Sequence, residues 1–263
     1  MKRNTQYLPA GRQGAIRNTK VILALDVNNY KKAIRWVKLL YPQVKIFKVG
    51  LQLYTACGPK IIQDIRKIGA EVFLDLKFND IPNTMVKAAK EVLKYKVAMF
   101  TVHALSGPTA LKEVARVCQR SKTKVLGVTI LTSICSHFLQ DLKIQRTLSQ
   151  EVLYLAKMAK RCGLDGVVCS VPEAKAIRKY LGRDFMIVSP GIRPVGFTKG
   201  DQKQIATPQA AQKAGVDYIV VGRPILEAKD PRAATDSIIK DILSVFAQVH
   251  LRTSCFGGSA VAS

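Results

Sequence analysis

The chain has 263 residues, of which 48% are hydrophobic, 23% charged and 7% aromatic, and its formal net charge is +24. This length and composition suit one large folded domain and exclude a disordered chain. The lysines and arginines are spread along the whole sequence without the aromatic residues of a nucleic-acid motif, so solvated helix faces explain the charge better than a nucleic-acid site.

Short apolar runs rich in β-branched residues alternate along the chain with segments of helical periodicity. The predicted strands are 21–27, 44–50, 71–77, 99–104, 124–131, 166–170, 185–192 and 218–223. The predicted helices are 30–40, 59–68, 84–93, 109–120, 149–161, 172–180, 208–214 and 231–246. Nearly continuous hydrophobicity is typical of parallel strands covered on both faces. The alternation predicts an α/β fold, a single (β/α)8 TIM barrel, with an open parallel sheet as the alternative.

The barrel pattern covers residues 21–249, which we assign to one (β/α)8 catalytic domain. The basic segment 1–20 and the segment 250–263 lie outside it and are expected to be short flexible tails. The first segment has no apolar stretch of the length of a secretory signal, and the six cysteines show neither C-x-x-C nor zinc spacing. We therefore expect a soluble cytoplasmic protein without a membrane partner or a metal site.

Polar residues follow most of the first five predicted strands at the point where each strand ends. These residues are Asp26, Lys48, Asp75, Lys77, His103, Thr132 and Ser133. Catalytic residues of TIM barrels lie at the carboxyl ends of the strands, so the set predicts an active site there. An ion-paired barrel rim is the alternative for the charged residues, and a hydrogen-bonded core histidine is the alternative for His103.

The loops after the last two strands predict a phosphate site. Arg193 follows the seventh strand, and Gly222 and Arg223 follow the eighth, which is where phosphate sites of such barrels commonly form. Gly222 allows backbone N–H groups to approach an anion, and Arg223 can bind it with two hydrogen bonds. The segment 194–201 has glycines near both ends and is either a lid over the phosphate or an ordinary surface loop.

Four segments in this order resemble orotidine 5′-phosphate decarboxylase of the bacterial type. They are DLKFNDIPNT at 75–84, PGIR at 190–193, Asp201-Gln202, and VGRPI at 221–225. The likeness extends from about Val21 to Leu243. Asn79 stands where the family often has histidine and Ser106 where glycine is frequent, but neither residue carries the chemistry.

The resemblance implies conversion of orotidine 5′-phosphate (OMP) to uridine 5′-phosphate (UMP) and carbon dioxide in de novo pyrimidine biosynthesis, with no metal or organic cofactor. It implies that Lys77 donates the proton, that Asp75 and Asp80 are the two carboxylates, and that Lys48 is the second lysine of a charged array. It also implies a homodimer in which Asp80 and Thr84 reach the partner's site. The implied substrate contacts are Asp26 and Lys48 for the ribose, Thr132 with Ser133 for the pyrimidine, and Arg193, Gln202, Gly222 and Arg223 for the phosphate.

Losing carbon dioxide from C6 of the pyrimidine leaves charge on a carbon without an electron sink. The sequence has no cofactor motif, so the remaining route is electrostatic: the Lys77 ammonium stabilises the carbanion and then protonates it. Two rivals remain open. One is a magnesium-dependent barrel such as keto-gulonate phosphate decarboxylase or hexulose-phosphate synthase, which the segment 81–84 disfavours; the other is a nucleic-acid-binding protein, which only the charge suggests.

Overall fold

The structure, a computed structural model, describes residues 19–194 and 205–254, with the side chains of 246–254 excepted. The strands in this part of the chain are β1 (Lys20–Ala24), β2 (Ile46–Gly50), β3 (Glu71–Phe78), β4 (Met99–His103), β5 (Lys124–Val128), β6 (Gly166–Val168), β7 (Met186–Ser189) and β8 (Tyr218–Val221). Each one coincides with a predicted strand. β5, β6 and β7 end before residues 131, 170 and 192, where those predictions had placed their ends.

All neighbouring strands pair in parallel, and β1 pairs with both β2 and β8, so the sheet closes into a barrel in sequence order. The register places Ala24 beside Lys48 and Gly50 beside Asp75, which brings the ends of the first three strands to the same height. The predicted (β/α)8 barrel is confirmed, and the open-sheet alternative is wrong.

The helices pack around the outside of the barrel. They are α1 (Tyr30–Leu40), α2 (Leu51–Cys57), α3 (Lys60–Lys67), α4 (Pro82–Lys94), α5 (Gly107–Cys118), α6 (Ser136–Asp141), α7 (Leu148–Arg161), α8 (Val171–Leu181), α9 (Pro208–Lys213), α10 (Arg223–Leu226) and α11 (Pro231–Ser254). A short 3-10 helix, Ala104–Ser106, follows β4. The short helices α2, α6 and α10 have no counterpart among the predicted ones, and α11 continues past residue 249.

Side-chain caps fix several helix starts where the sequence supplies hydroxyl or amide groups. The Asn29 side chain accepts from the backbone N–H of Lys32 at the start of α1. Thr147 and Gln150 form a capping box at the start of α7, so each side chain satisfies a backbone donor of the other residue. These bonds satisfy backbone donors of the first turn, which have no partner within the helix.

The hydrophobic core has two parts because successive strand residues point to opposite faces of the sheet. Outward-facing residues such as Leu23 and Phe47 pack against the helices. Inward-facing residues fill the barrel lumen: Ile22, Ala24, Ile46, Phe73, Met99, Leu126, Val188 and Val220. The lumen is therefore packed rather than open, and anything that binds at the carboxyl ends of the strands rests on this layer.

At the amino ends of the strands, aspartates tie neighbouring strands together. Asp165, directly before β6, accepts from the backbone N–H of Val125 in β5 at 2.9 Å. Its other oxygen accepts from Lys124 Nζ at 2.8 Å. This carboxylate supplies a partner to a strand-end donor, which is a structural role.

Asp217 repeats this arrangement before β8. It accepts from the backbone N–H of Ile187 in β7 at 2.8 Å and from Arg178 Nη2 at 2.7 Å. The Arg178 guanidinium also donates to the backbone carbonyls of Gly182, Phe185 and Gly215. Arg178 thereby connects α8, β7 and β8 in a half-buried position.

Among the described residues, no helix has both the length and the apolar character that crossing a bilayer requires.

Candidate active site

A cavity of ≈ 610 Å³ opens at the carboxyl ends of the strands, above the lumen residues Phe73 and Val220. Nine of the predicted site residues line it: Asp26, Lys48, Asp75, Lys77, Thr132, Ser133, Arg193, Gly222 and Arg223. They come from the ends of β1, β2, β3, β5, β7 and β8 or the loops that follow, so the closed barrel brings distant parts of the sequence to one site.

Four charged side chains of alternating sign form a continuous array along one wall of this cavity. Lys48 Nζ lies 3.2 Å from Asp26 Oδ1 and 3.7 Å from Asp75 Oδ2. Lys77 Nζ lies 2.9 Å from Asp75 Oδ1. Asp75 therefore sits between two ammonium groups, and Lys48 sits between two carboxylates.

The array is deeply placed at its centre and more open at both ends. The side chains of Lys48 and Asp75 are 13% exposed, that of Lys77 is 31% exposed, and that of Asp26 is 58% exposed. Removing one member of a poorly solvated array leaves a neighbouring charge without compensation, which costs more than the loss of a surface ion pair. The pairing explains how these charges can lie within the barrel.

Lys77 sits on an irregular part of β3. Its φ is 51°, in the left-handed region that a residue with a Cβ adopts at a cost of about 1 kcal/mol. The ladder between β3 and β4 changes register between Leu74 and Phe78. The strand therefore bulges at the residues that carry the charged pair, and bulges commonly re-aim a side chain beside an active site.

Two glycines border the ion pair of Asp26 and Lys48. A Cβ on Gly50 would lie 3.0 Å from Lys48 Nζ. A Cβ on Gly222 would lie 3.3 Å from Asp26 Oδ2. Both positions lack a side chain where the charged groups need the space.

His103 ends β4 and belongs to the surroundings of the array. Its Nδ1 accepts from the backbone N–H of Leu105 at 3.3 Å and so caps the short 3-10 helix. Burial lowers the pKa of His103, and the nearby charge of Lys77 lowers it further. A neutral imidazole with Nδ1 accepting must carry its proton on Nε2. His103 is therefore hydrogen-bonded to the backbone and also lies close enough to Lys77 to sense its charge.

Asp80 and Thr84 are exposed and are not among the residues that line the cavity. The Asp80 carboxylate accepts from the backbone N–H of Ile81 at 2.7 Å, at the turn that leads into α4. Nearby, Ser106 Oγ donates to Asn79 Oδ1 at 2.8 Å. The structure thus places these two predicted site residues outside the cavity that nine others of the set line.

Two arginines that follow β7 and β8 add positive charge to the cavity. Arg193 follows β7, is 6% exposed, and donates from Nη1 to the carbonyl of Ile192 at 3.0 Å. Arg223 begins α10 directly after Gly222. Because β7 and β8 are neighbours in the closed barrel, the two arginines lie at adjacent strand ends of the same pocket. Gln202 and most of the predicted lid segment 194–201 lie outside the described residues.

Thr132 and Ser133 lie in the loop after β5 and line the cavity, as the sequence predicts. Two residues in or beside the cavity were not among the site residues predicted from the sequence. Glu227, after α10, also lines the cavity. Thr101, in the middle of β4, is fully buried and bonds to both Asp75 and Lys77. A threonine inside an apolar strand is common, so no sequence signal distinguished it.

The fold and the cavity define a (β/α)8-barrel protein in which an alternating lysine–aspartate array and two arginines line one cavity. The profile of the Orotidine 5'-phosphate decarboxylase / HUMPS family matches residues 19–238, and the chain belongs to this family.

Relatives named orotidine 5′-phosphate decarboxylase are similar in sequence to this chain over most of its length. The chain is 45% identical over 230 residues to the orotidine 5′-phosphate decarboxylase of Geotalea daltonii, covering 86% of this chain and 96% of the relative. It is 46% identical to that of Syntrophotalea carbinolica, with 85% and 94% covered. Among solved structures, orotidine 5′-phosphate decarboxylase from Lactobacillus acidophilus superposes with a TM-score of 0.76 at 38% identity, covering 85% of this chain and 99% of that one.

Proposed function

We propose that this protein decarboxylates OMP to UMP and carbon dioxide, the reaction that completes UMP in de novo pyrimidine biosynthesis. The observation that carries the proposal is the array of Asp26, Lys48, Asp75 and Lys77 in one cavity. Relatives named for this activity, 41–46% identical over most of the chain, support it.

Lys77 is the proposed catalytic acid. When the bond from C6 to the carboxylate breaks, its electron pair stays on C6 and carbon dioxide leaves. The Lys77 ammonium stabilises this charge and then transfers a proton to C6, after which the amine regains a proton from water. The 2.9 Å contact with Asp75 fixes the ammonium before substrate binds, so little reorganisation is needed during the reaction.

Asp75 and Lys48 are proposed to hold the charges in place. Asp75 lies between both ammonium groups and, with its negative charge, would also face the substrate carboxylate. Lys48 connects Asp75 to Asp26, whose exposed carboxylate is the proposed partner of the ribose hydroxyls. Thr132 and Ser133 are the proposed contacts of the pyrimidine edge.

Arg193, Arg223, Gly222 and Gln202 are the proposed phosphate ligands. The phosphate lies far from the reacting carbon, so its binding energy can be used to order the site and exclude water rather than to stabilise the ground state. Guanidinium groups suit this role because their geometry matches a phosphate in a bidentate pair.

The direct test is an assay of the purified chain with OMP in the presence of a chelator, followed by the loss of ultraviolet absorbance and by release of UMP and carbon dioxide. Equal yields of the two products without added metal are expected. No conversion would overturn the proposal. Conversion only after adding magnesium would indicate a metal-dependent reaction instead, although lysines already pair with Asp26 and Asp75.

We further propose a homodimer in which Asp80 and Thr84 complete the partner's site. Apolar side chains are exposed around the same rim: Leu51, Ile81, Leu105, Phe138 and Leu142. Ile81 is 67% exposed and directly follows Asp80, so an interface that buries it would carry Asp80 towards the neighbouring molecule. Rim patches of this kind are typical of protein interfaces.

Mixed dimers test the shared site. Lys77→Ala and Asp80→Asn proteins, each inactive, should after re-pairing recover about one quarter of wild-type activity, because about half of the dimers are mixed and one of their two sites is intact. Lys77→Ala mixed with Lys48→Ala is the control. Both lysines line one chain's cavity, so every site stays defective. Absence of recovery despite confirmed exchange would mean that Asp80 acts in its own chain.

We also propose a cytoplasmic location and no nucleic-acid partner. Cys57, Cys118, Cys162 and Cys169 form no disulfide, which suits a reducing compartment. Retention on generic DNA or RNA that falls steeply with salt would contradict the second part.

A further inference from the structure

The bulge in β3 faces a single residue of β4. Leu74 pairs with Phe100 and Phe78 pairs with Val102, so Asp75, Leu76 and Lys77 all lie opposite Thr101. A bulge removes regular ladder partners from the backbone groups inside it. Thr101 therefore occupies the one position of β4 from which a side chain can replace the missing partner.

The Thr101 hydroxyl replaces it and also reaches the charged array. The backbone N–H of Lys77 donates to Thr101 Oγ1 at 2.9 Å. Thr101 Oγ1 donates to Asp75 Oδ1 at 3.0 Å. The direction of both bonds follows from chemistry, because an amide N–H can only donate and an ionised carboxylate can only accept.

These bonds form a closed ring with the ion pair. Asp75 Oδ1 accepts from Thr101 and also from Lys77 Nζ, while the hydroxyl accepts from the backbone of the same lysine. The ring holds the left-handed backbone of Lys77 at one end and its ammonium at the other. Thr101 is fully buried, so water cannot readily take over its hydroxyl's role.

We propose that Thr101 is a positioning residue that holds Lys77 and Asp75 in the arrangement needed for proton transfer. It does not line the cavity, so it acts through these two residues and not on the substrate. The inference rests on the proposed decarboxylation.

The test compares Thr101→Val, which keeps the shape but removes the hydroxyl, with Thr101→Ser, which keeps the hydroxyl. Thr129→Val is the matched control. Thr129, directly after β5, is also fully buried, and its hydroxyl donates to the carbonyl of Val168 in β6 at 3.0 Å instead of to a residue of the array. The wild type and these three variants are measured for kcat, KM and thermal stability.

Thr101→Val should lower kcat at least about tenfold with KM changed less than about threefold, because a hydrogen bond to a charged group is lost while substrate contacts remain. Thr101→Ser should restore kcat to within about threefold of wild type. Thr129→Val should reduce stability without this kcat loss. Equal kcat losses in both valine variants, or wild-type kcat in Thr101→Val, would overturn the proposal.

A second readout does not depend on activity. Amide hydrogen exchange at Lys77 should be faster in Thr101→Val and near wild type in Thr101→Ser, because only the valine removes the acceptor. If the wild-type chain fails to convert OMP, the proposed function fails while this exchange measurement still tests the ring. Unchanged exchange at Lys77 in Thr101→Val would contradict the ring itself.

Discussion

At the amino ends of the strands, Asp165 and Asp217 each bind a cation and a backbone N–H of the preceding strand. At the carboxyl ends, by contrast, Asp75 binds two lysines and a threonine hydroxyl. The shortest ion-pair distances are similar at both ends of the barrel. The two ends differ in the groups with which the carboxylates pair. The amino-end carboxylates accept from backbone N–H groups at the edge of the sheet. The charged groups at the carboxyl end pair with one another and line a cavity. Ion pairs of similar geometry should therefore stabilise the fold at one end and serve chemistry at the other.

The largest effect is expected at the carboxyl end. Lys77→Ala should lower kcat by about 10⁴-fold or more, because it removes both charge stabilisation and the proton donor, while the melting temperature changes by only a few degrees. Lys124→Ala is the matched control: its ammonium lies 2.8 Å from Asp165, but it should keep kcat within about twofold. Turnover of Lys77→Ala within about tenfold of wild type would break the comparison.

The opposite pattern is expected at the amino end. Arg178→Ala removes the cation of Asp217 and the donor of three carbonyls, and should cost about 3 kcal/mol of unfolding free energy. For a domain of this size, that corresponds to about 10 °C in thermal melting. Lys94→Ala, which loses an exposed pair with Glu91, should cost less. A loss of kcat in the folded Arg178→Ala protein that is as large, in free energy, as its loss of stability would show that the two ends do not have separate roles.

The arginines of the cavity provide a third, smaller effect. Arg223→Ala should raise KM for OMP roughly 10- to 100-fold, because one charge-assisted contact with the phosphate is lost. Arg232→Ala, outside the cavity on α11, should leave KM unchanged. An Arg223→Ala enzyme that keeps wild-type KM would show that the phosphate binds elsewhere.

The smallest effect concerns His103, whose pKa is lowered from the ordinary value of 6.5. The folded state then holds fewer protons than the unfolded state, so this group's contribution to stability is complete above the unfolded pKa and is lost as pH falls from there through the folded pKa. His103→Asn keeps a helix-capping acceptor but does not titrate. Its melting temperature should match wild type near pH 7.5 and fall less between about pH 6.5 and 5. An identical acid slope would contradict the assignment.

The sequence patterns predicted the fold more completely than the details of the site. Apolar runs and helical periodicity predicted all eight strands in order, because burial on both faces leaves a strong hydrophobic signal. The short helices α2, α6 and α10 were missed because one or two turns carry little periodicity. The strand-end polar residues predicted the cavity, since parallel strands end at the same rim.

What sequence could not predict was the bulge and its partner. A lysine has no preference for the left-handed region, so nothing marks Lys77 for φ 51°. Thr101 is an ordinary β-former in its own strand and gains its role only from a register shift in the next one. Asp80 and Thr84 lie outside their own chain's cavity, and their role in a second chain's site stays a prediction.

The glycines at positions 50 and 222 have a consequence for redesign. A methyl group at either position would lie within 3.0–3.3 Å of one end of the Asp26–Lys48 pair. A library that varied these two sites in search of new substrates would press on the Lys48 ammonium and the Asp26 carboxylate, and so shift the charged pair before it reshaped the pocket. Diversity is better introduced around Thr132 and Ser133, where the lining belongs to a loop and steric tolerance is wider.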